Sequence, residues 1–160
     1  MIKPKKSLGQ NFLNDQKIID KIINIVDVKN KSVLEIGPGT GNLTLNILKK
    51  NPKKVTVIEK DSYLSELLNK NLGTKINIIN KDVLKVDENK LENDSLIVFG
   101  NLPYNISTEI LCKWILNIKN NHFWFSSMIL MFQKEVADRI ISKFNTKKYG
   151  RLSILANWKL

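Results

Sequence analysis

The chain has 160 residues, 42% hydrophobic and 26% charged, with one cysteine and one histidine. That is about one domain with room for a real core. It excludes a membrane span, which needs ~18 consecutive apolar residues, and an internal disulfide framework, and it offers poor material for a metal site. No apolar stretch follows the basic N-terminus "MIKPKKSLGQ", so a secretory signal is not expected, and a lone Cys112 suits a reducing cytosol. Lys and Arg outnumber Asp and Glu by 26 to 15, for a net charge of +11. Lys3, Lys5 and Lys6 precede the first acidic residue, Asp15. Lys143, Lys147, Lys148 and Arg151 surround the turn "NTKKYGR". Basic charge clustered at loop-like ends is what a phosphate backbone attracts.

Along the chain, 15–26 carries Ile18, Ile19, Ile22, Ile23 and Val26 at helical spacing, with Asn14 as its expected cap. "SVLEI" (32–36) reads as a strand and 42–50 as a helix. "KVTVIE" (54–59) is a strand and 62–71 a helix. Strands follow at 76–79 and 95–100, then a helix at 107–118, a strand within 123–132 and a helix at 134–144. The segment 85–94, "KVDENKLEND", reads as a charged surface connection and nothing more. Cys112, Trp114 and Trp124 read as packing residues, and His122 as a loop residue. Strands that are apolar on both faces and alternate with helices predict a parallel sheet covered on two sides. Ligands of such sheets bind beyond the carboxyl ends of the strands.

The residues after each strand therefore come first. "EIGPGTGNLT" (35–44) places Gly37, Gly39 and Gly41 between a strand and a helix, where glycine permits a tight turn and close approach to a ligand. Glu59 ends the second strand, 18 residues beyond Gly41, where an acid can bind both hydroxyls of a ribose. Asp82 follows the third strand, placed to accept a hydrogen bond from an adenine amino group. Singly, such acids are ordinary strand-end carboxylates; three features in register argue for a nucleoside-like ligand. The third glycine comes one residue earlier than in the dinucleotide pattern. The loop resembles motif I of S-adenosylmethionine (SAM) methyltransferases, with a nucleotide-dependent oxidoreductase as the alternative.

After the fourth strand comes Asn101-Leu102-Pro103-Tyr104. It resembles the N-[LI]-P-[YF] motif of amino-methyltransferases, whose target is an exocyclic amine on a base. That amine is a poor nucleophile because its lone pair is delocalised into the ring. An amide oxygen from Asn101 and a backbone carbonyl of Leu102 or Pro103 can accept its two N–H groups and turn the lone pair toward a methyl sulfonium. Pro103 stiffens the corner, and Tyr104 offers a stacking face. No strong general base is required.

Taken together, "GQNFL" (9–13), "EIGPGTGNLT", "VIEKD" (57–61), "KDVL" (81–84), "NLPYNIST" (101–108), "FQKEVADRI" (132–140) and "YGRLS" (149–153) resemble the rRNA adenine dimethyltransferase family over nearly the whole chain. The resemblance implies an α/β, Rossmann-like class I SAM-dependent methyltransferase fold with a mostly parallel sheet, spanning 1–160 as one catalytic domain. It implies transfer of two methyl groups to the 6-amino group of each of two adjacent adenines near the 3′ end of small-subunit (16S) rRNA. The partner would be that rRNA or the pre-30S particle, and the protein a cytoplasmic monomer. Gln10, Asn11 and Leu13 would close over the methionine end of SAM, with Gly37 and Gly39 beneath. Glu59 would bind the ribose and Asp82 the adenine amine. Asn101 would face SAM and target, with Leu102, Pro103 and Tyr104 completing the catalytic corner. Lys3, Lys5, Lys6, Lys147, Lys148 and Arg151 would bind RNA.

Family members carry a seven-stranded sheet and then a helical C-terminal domain, whereas this chain ends at "YGRLSILANWKL". The expectation is an incomplete catalytic domain that retains SAM binding more readily than catalysis. Two readings compete with it. One is a large-subunit rRNA methyltransferase of the macrolide-resistance type, disfavoured by Pro38, Asn105, "QKEV" and "YGRLS". The other is a basic RNA-binding module that has lost its chemistry.

Overall fold

The computed structural model describes residues 4–5, 9–91, 95–118 and 123–160. Five strands, β1 (Ser32–Ile36), β2 (Lys54–Ile58), β3 (Asn77–Ile79), β4 (Leu96–Asn101) and β5 (Phe125–Met131), alternate with helices. The helices are α1 (Gln16–Ile23), α2 (Asn42–Leu48), α3 (Ser62–Leu72), α4 (Ser107–Leu116), α5 (Lys134–Ile140) and α6 (Arg151–Lys159). The strand order is β3-β2-β1-β4-β5, and every pairing is parallel.

The strands are mostly apolar and buried in the middle of the sheet, and the two-residue repeat of a strand sends alternate side chains to opposite faces. Val33, Val55, Val57, Ile97 and Phe99 pack with Ile19, Ile22 and Ile23 of α1, Leu43 and Ile47 of α2, and Leu68 and Leu72 of α3. Leu34, Ile36, Ile58 and Val98 pack on the other face with Ile110 and Trp114 of α4, beside Trp124. Trp114 and Trp124 meet edge to face with ring centres 5.6 Å apart. Both tryptophans are core residues, as their placement predicted.

The order reverses at β1. The chain steps outward through β2 and β3, then crosses back to lay β4 on the other side. Ile36 is paired with Ile58 on one side and Gly100 on the other, and Ile58 with Ile79. The next residues, Gly37, Glu59 and Asn101, therefore stand in one row at the carboxyl edge, where a doubly wound sheet opens a crevice.

Several local expectations are corrected. Asp15, not Asn14, caps α1: its carboxylate accepts from the N–H groups of Lys17 (2.8 Å) and Ile18 (3.3 Å). Asn14 instead accepts from the Asn42 amide at 2.8 Å. Helix α5 stops at Ile140, where the Ser142 hydroxyl bonds back to the Arg139 carbonyl. The C-terminal residues, given no element from sequence, form α6. Cys112 is half-buried rather than core. His122 lies outside the described residues.

The segment read as mere surface connection holds a buried anchor. Glu88, 1% exposed within a 3-10 turn (Glu88–Lys90), accepts from Lys113 Nζ at 2.5 Å and Trp114 Nε1 at 2.8 Å. A charged residue inside "DENK" gave no sign of this, because its partners are supplied by α4.

Candidate functional site

The glycine loop joins β1 to α2 in a shape that side chains resist. Gly37, Gly39 and Gly41 have φ of 65°, 58° and 85°, a left-handed conformation costly for other residues. Space is tight at two of the three as well. A Cβ on Gly39 would lie 3.1 Å from the Phe12 ring, and one on Gly41 2.9 Å from Leu68. The turn is closed by bonds from Gly37 N–H to the Ile58 carbonyl (3.0 Å) and from Gly41 N–H to the Pro38 carbonyl (2.9 Å).

Glu59 is buried and anchored by backbone donors. Its two oxygens accept from Gly39 N–H at 3.2 Å and Asp61 N–H at 2.9 Å. Burial raises its pKa, and these bonds oppose the rise. Beneath the loop lies a second carboxyl that sequence reasoning passed over. Glu35, 2% exposed, accepts from Thr44 Oγ1 at 2.6 Å, and burial above all pushes its pKa up to about 7, with Glu59's charge adding to the rise. Asp82 caps the 3-10 turn Val83–Lys85, accepting from Leu84 N–H at 3.0 Å, and pairs with Lys60 at 2.8 Å. Lys60 is the main reason its pKa is lowered.

The segment 9–13 lies across the row of strand ends. Gln10 Nε2 donates to Asp61 Oδ2 at 3.1 Å, and Lys5 Nζ pairs with the same oxygen at 2.8 Å. The Asn11 carbonyl accepts from Asn101 Nδ2 at 2.5 Å, and Asn11 Nδ2 points at the Tyr104 hydroxyl at 3.4 Å. Because a carbonyl only accepts, the Asn101 atom facing it is the amide nitrogen. The amide oxygen has no donor among the described residues. Phe12, undecided from sequence, packs against Gly39.

These pieces enclose a cleft of about 780 Å³, counting its open mouth. Gln10, Asn11, Gly37, Gly39, Glu59, Asp82, Asn101 and Pro103 all line it, with Phe12, Lys60 and Asn105. Leu13 does not. It borders a small adjoining cavity with Glu35 and Asn101, while its carbonyl accepts from Asn42. Leu102 turns its side chain into the core at 1% exposure and presents only its backbone to the corner. The Pro103 carbonyl is engaged by Ile106 N–H at 3.1 Å, and Tyr104 is 39% exposed beside the cleft.

The basic residues separate into two groups. Lys147, Lys148 and Arg151 border a groove with Thr108, in the first turn of α4 past the Asn101 corner. All three are exposed, and Lys148 also pairs with Asp138 at 2.6 Å. Lys5 pairs with Asp61, and its N–H donates to the Gln10 side chain of the segment over the cleft. Lys3 and Lys6 lie outside the described residues.

A parallel sheet of this order, with a glycine loop after β1 and an acid after β2, is the Rossmann-like fold of class I methyltransferases. The chain belongs to the ribosomal RNA adenine dimethylase family, whose sequence profile matches residues 1–159. It is 65% identical over 159 residues to ribosomal RNA small subunit methyltransferase A of Pelagibacter ubique (strain HTCC1062), covering 99% of this chain and 60% of that protein. Among solved structures, a dimethyladenosine transferase from Plasmodium falciparum superposes with TM-score 0.78 at 32% identity, over 92% of this chain and 52% of the other. The 23S rRNA methyltransferase ErmE follows at TM-score 0.69 and 28% identity, over 91% of this chain and 55% of that one. The chain spans 54–60% of the length of the curated relatives it matches.

Proposed function

We propose that this chain carries the SAM-binding and methyl-transfer site of a small-subunit (16S) rRNA adenine dimethyltransferase. Its target is the 6-amino group of two adjacent adenines near the 3′ end of that rRNA, within the pre-30S particle. The enzyme would act in the cytoplasm as a monomer. The observation that carries the reading is that the Asn101 amide and the Glu59 carboxylate open on one cleft, with the glycine loop between them.

The cleft fits the cofactor. Glycine at 39 leaves the floor bare where a Cβ would press on Phe12, and glycine at 37 supplies the left-handed turn beside the Asn101 carbonyl. Glu59 and Asp82 supply acceptors for ribose hydroxyls and an amine. Bound SAM would supply an electrophilic methyl group on a sulfonium. Asn101 Nδ2 is held by the Asn11 carbonyl, so Oδ1 serves as the acceptor for one N–H of the target amine. The Leu102 carbonyl, with no partner among the described residues, serves for the other. With both N–H bonds held, the nitrogen turns pyramidal and its lone pair aims into the cleft. Tyr104 stacks on the base, and Lys147, Lys148 and Arg151 bind the backbone leading to it.

The test is calorimetry with SAM and with a nicotinamide dinucleotide, followed by labelled-methyl transfer to unmethylated small-subunit particles and, in parallel, to unmethylated large-subunit rRNA. Binding of SAM alone and label in N6-dimethyladenine of 16S rRNA are expected. Dinucleotide binding would point to an oxidoreductase. Label confined to large-subunit rRNA would move the assignment to the enzyme class of ErmE. SAM binding without transfer would favour a module that keeps the cofactor but not the chemistry.

A further inference from the structure

Asp61 is a buried carboxylate that lies two residues from Glu59 and outside the cleft lining. At 5% exposure it carries more bonds than its local task requires. As N-cap of α3 it needs one oxygen, and Oδ1 serves Tyr63 N–H at 3.1 Å. Its other oxygen faces the segment over the cleft and takes both Lys5 Nζ (2.8 Å) and Gln10 Nε2 (3.1 Å). Lys5 and Gln10 are tied to each other as well, through Lys5 N–H to Gln10 Oε1 at 2.8 Å. Burying a charge is costly unless it is paired, and here the pair joins two separate parts of the chain.

We propose that Asp61 is a positioning residue of this site. It pins the strap of residues 9–12 over the cleft, and through that strap holds Asn101 in its working orientation. The path is continuous. Glu59 bonds the Asp61 backbone, Asp61 bonds Gln10, and the next residue, Asn11, gives its carbonyl to Asn101 and its amide to Tyr104. The strap thus joins the end of β2 to the end of β4. Lys5 belongs to this device, so removing its charge should disturb the cofactor rather than RNA alone. The inference rests on the reading that the cleft takes SAM.

Asp61→Ser separates the strap from the helix cap, because serine caps a helix about as well as aspartate but cannot reach Lys5 and Gln10. Lys5→Met removes the ion pair from the other side and leaves the Asp61 carboxylate bonded to Gln10 and Tyr63. Stopped-flow release of SAM and the side-chain amide resonances of Asn101 are measured in the 160-residue chain. Both variants should release SAM about five- to twentyfold faster, measured at a temperature where each is fully folded. The double variant should be no worse than the more affected single one, since both break the same link. Lys5→Arg should restore slow release, and the Asn101 resonances should shift in Asp61→Ser. Wild-type release rates in both single variants, or additive effects in the double, would overturn the proposal while leaving the cleft reading intact. Failure of the wild-type chain to bind SAM would overturn the cleft reading, and this inference with it.

Discussion

Replacing Glu35 with Gln should make the folded protein less sensitive to pH. Glu35 sits in the central strand at 2% exposure, with a Thr44 hydroxyl on one oxygen and Glu59 as a like charge nearby. Burial raises its pKa from 4.5 to about 7. A group with a raised folded-state pKa is most favourable when protonated. Its contribution is full below pH 4.5 and is lost as pH rises through 7. A carboxyl that stays protonated up to about pH 7 in the fold but only to 4.5 in the unfolded chain contributes about 3 kcal/mol, most of it lost between about pH 5 and 8. Glutamine keeps the shape and a partner for Thr44 but cannot ionise. Urea unfolding of both proteins across that range provides the difference. Wild type should lose about 3 kcal/mol relative to Glu35→Gln as pH rises, whatever the other groups do to both. Asp61 and Asp82, whose pKa values are lowered, act in the opposite direction at lower pH and cancel in the comparison. Parallel stability curves would refute the argument and place water or a second donor beside the carboxyl.

Glu59→Ala should weaken SAM binding by about 1.5–3 kcal/mol in calorimetry, the size expected for charge-assisted hydrogen bonds; it also strands the N–H groups of Gly39 and Asp61. Asn101→Ala should bind SAM near normally yet transfer methyl groups at least ~100-fold more slowly in single-turnover assays of a full-length relative carrying the same corner. Tyr104→Phe should be milder there than Tyr104→Ala, because it keeps the stacking face. Glu88→Ala should cost about 3 kcal/mol in chemical denaturation, since it leaves Lys113 and the Trp114 indole without their shared acceptor. Lys147→Ala with Arg151→Ala should flatten the salt dependence of RNA binding by about 0.7–0.9 for each phosphate no longer neutralised, with SAM affinity unmoved.

The strands and the ligand edge were legible because both follow from local rules. A continuous apolar run between helices means a doubly covered parallel strand, and its register puts Gly37, Glu59 and Asn101 in line. The glycines were legible because few other residues tolerate their conformation. What escaped was every role created by a partner distant in sequence. Asp61 stood inside "VIEKD" with no role of its own; its cap on α3 is local, but its tie to Gln10 spans 51 positions. Glu88 looked like surface charge because α4 supplies its partners 25 and 26 residues later. Lys5 read as an RNA-binding residue because clustered lysines carry no mark of which one is already paired.

The same difference explains the division of labour in the cleft. The residues that motifs reveal, Gly39, Glu59 and Asn101, are those that only one residue type can serve. The bonds that hold them, from Gln10 to Asp61 and from Asn101 to the Asn11 carbonyl, are of kinds that several polar side chains or any backbone could make. Asn101 has one amide and must commit its nitrogen so that its oxygen is aimed. That commitment is made by the backbone carbonyl of Asn11, an atom every amino acid possesses, so no motif can encode it. Its position depends on the bonds that fix the strap at either end. The chemistry of the corner is thus written locally in "NLPY", whereas its geometry is set from the end of β2, through Asp61 and Gln10, across the width of the cleft.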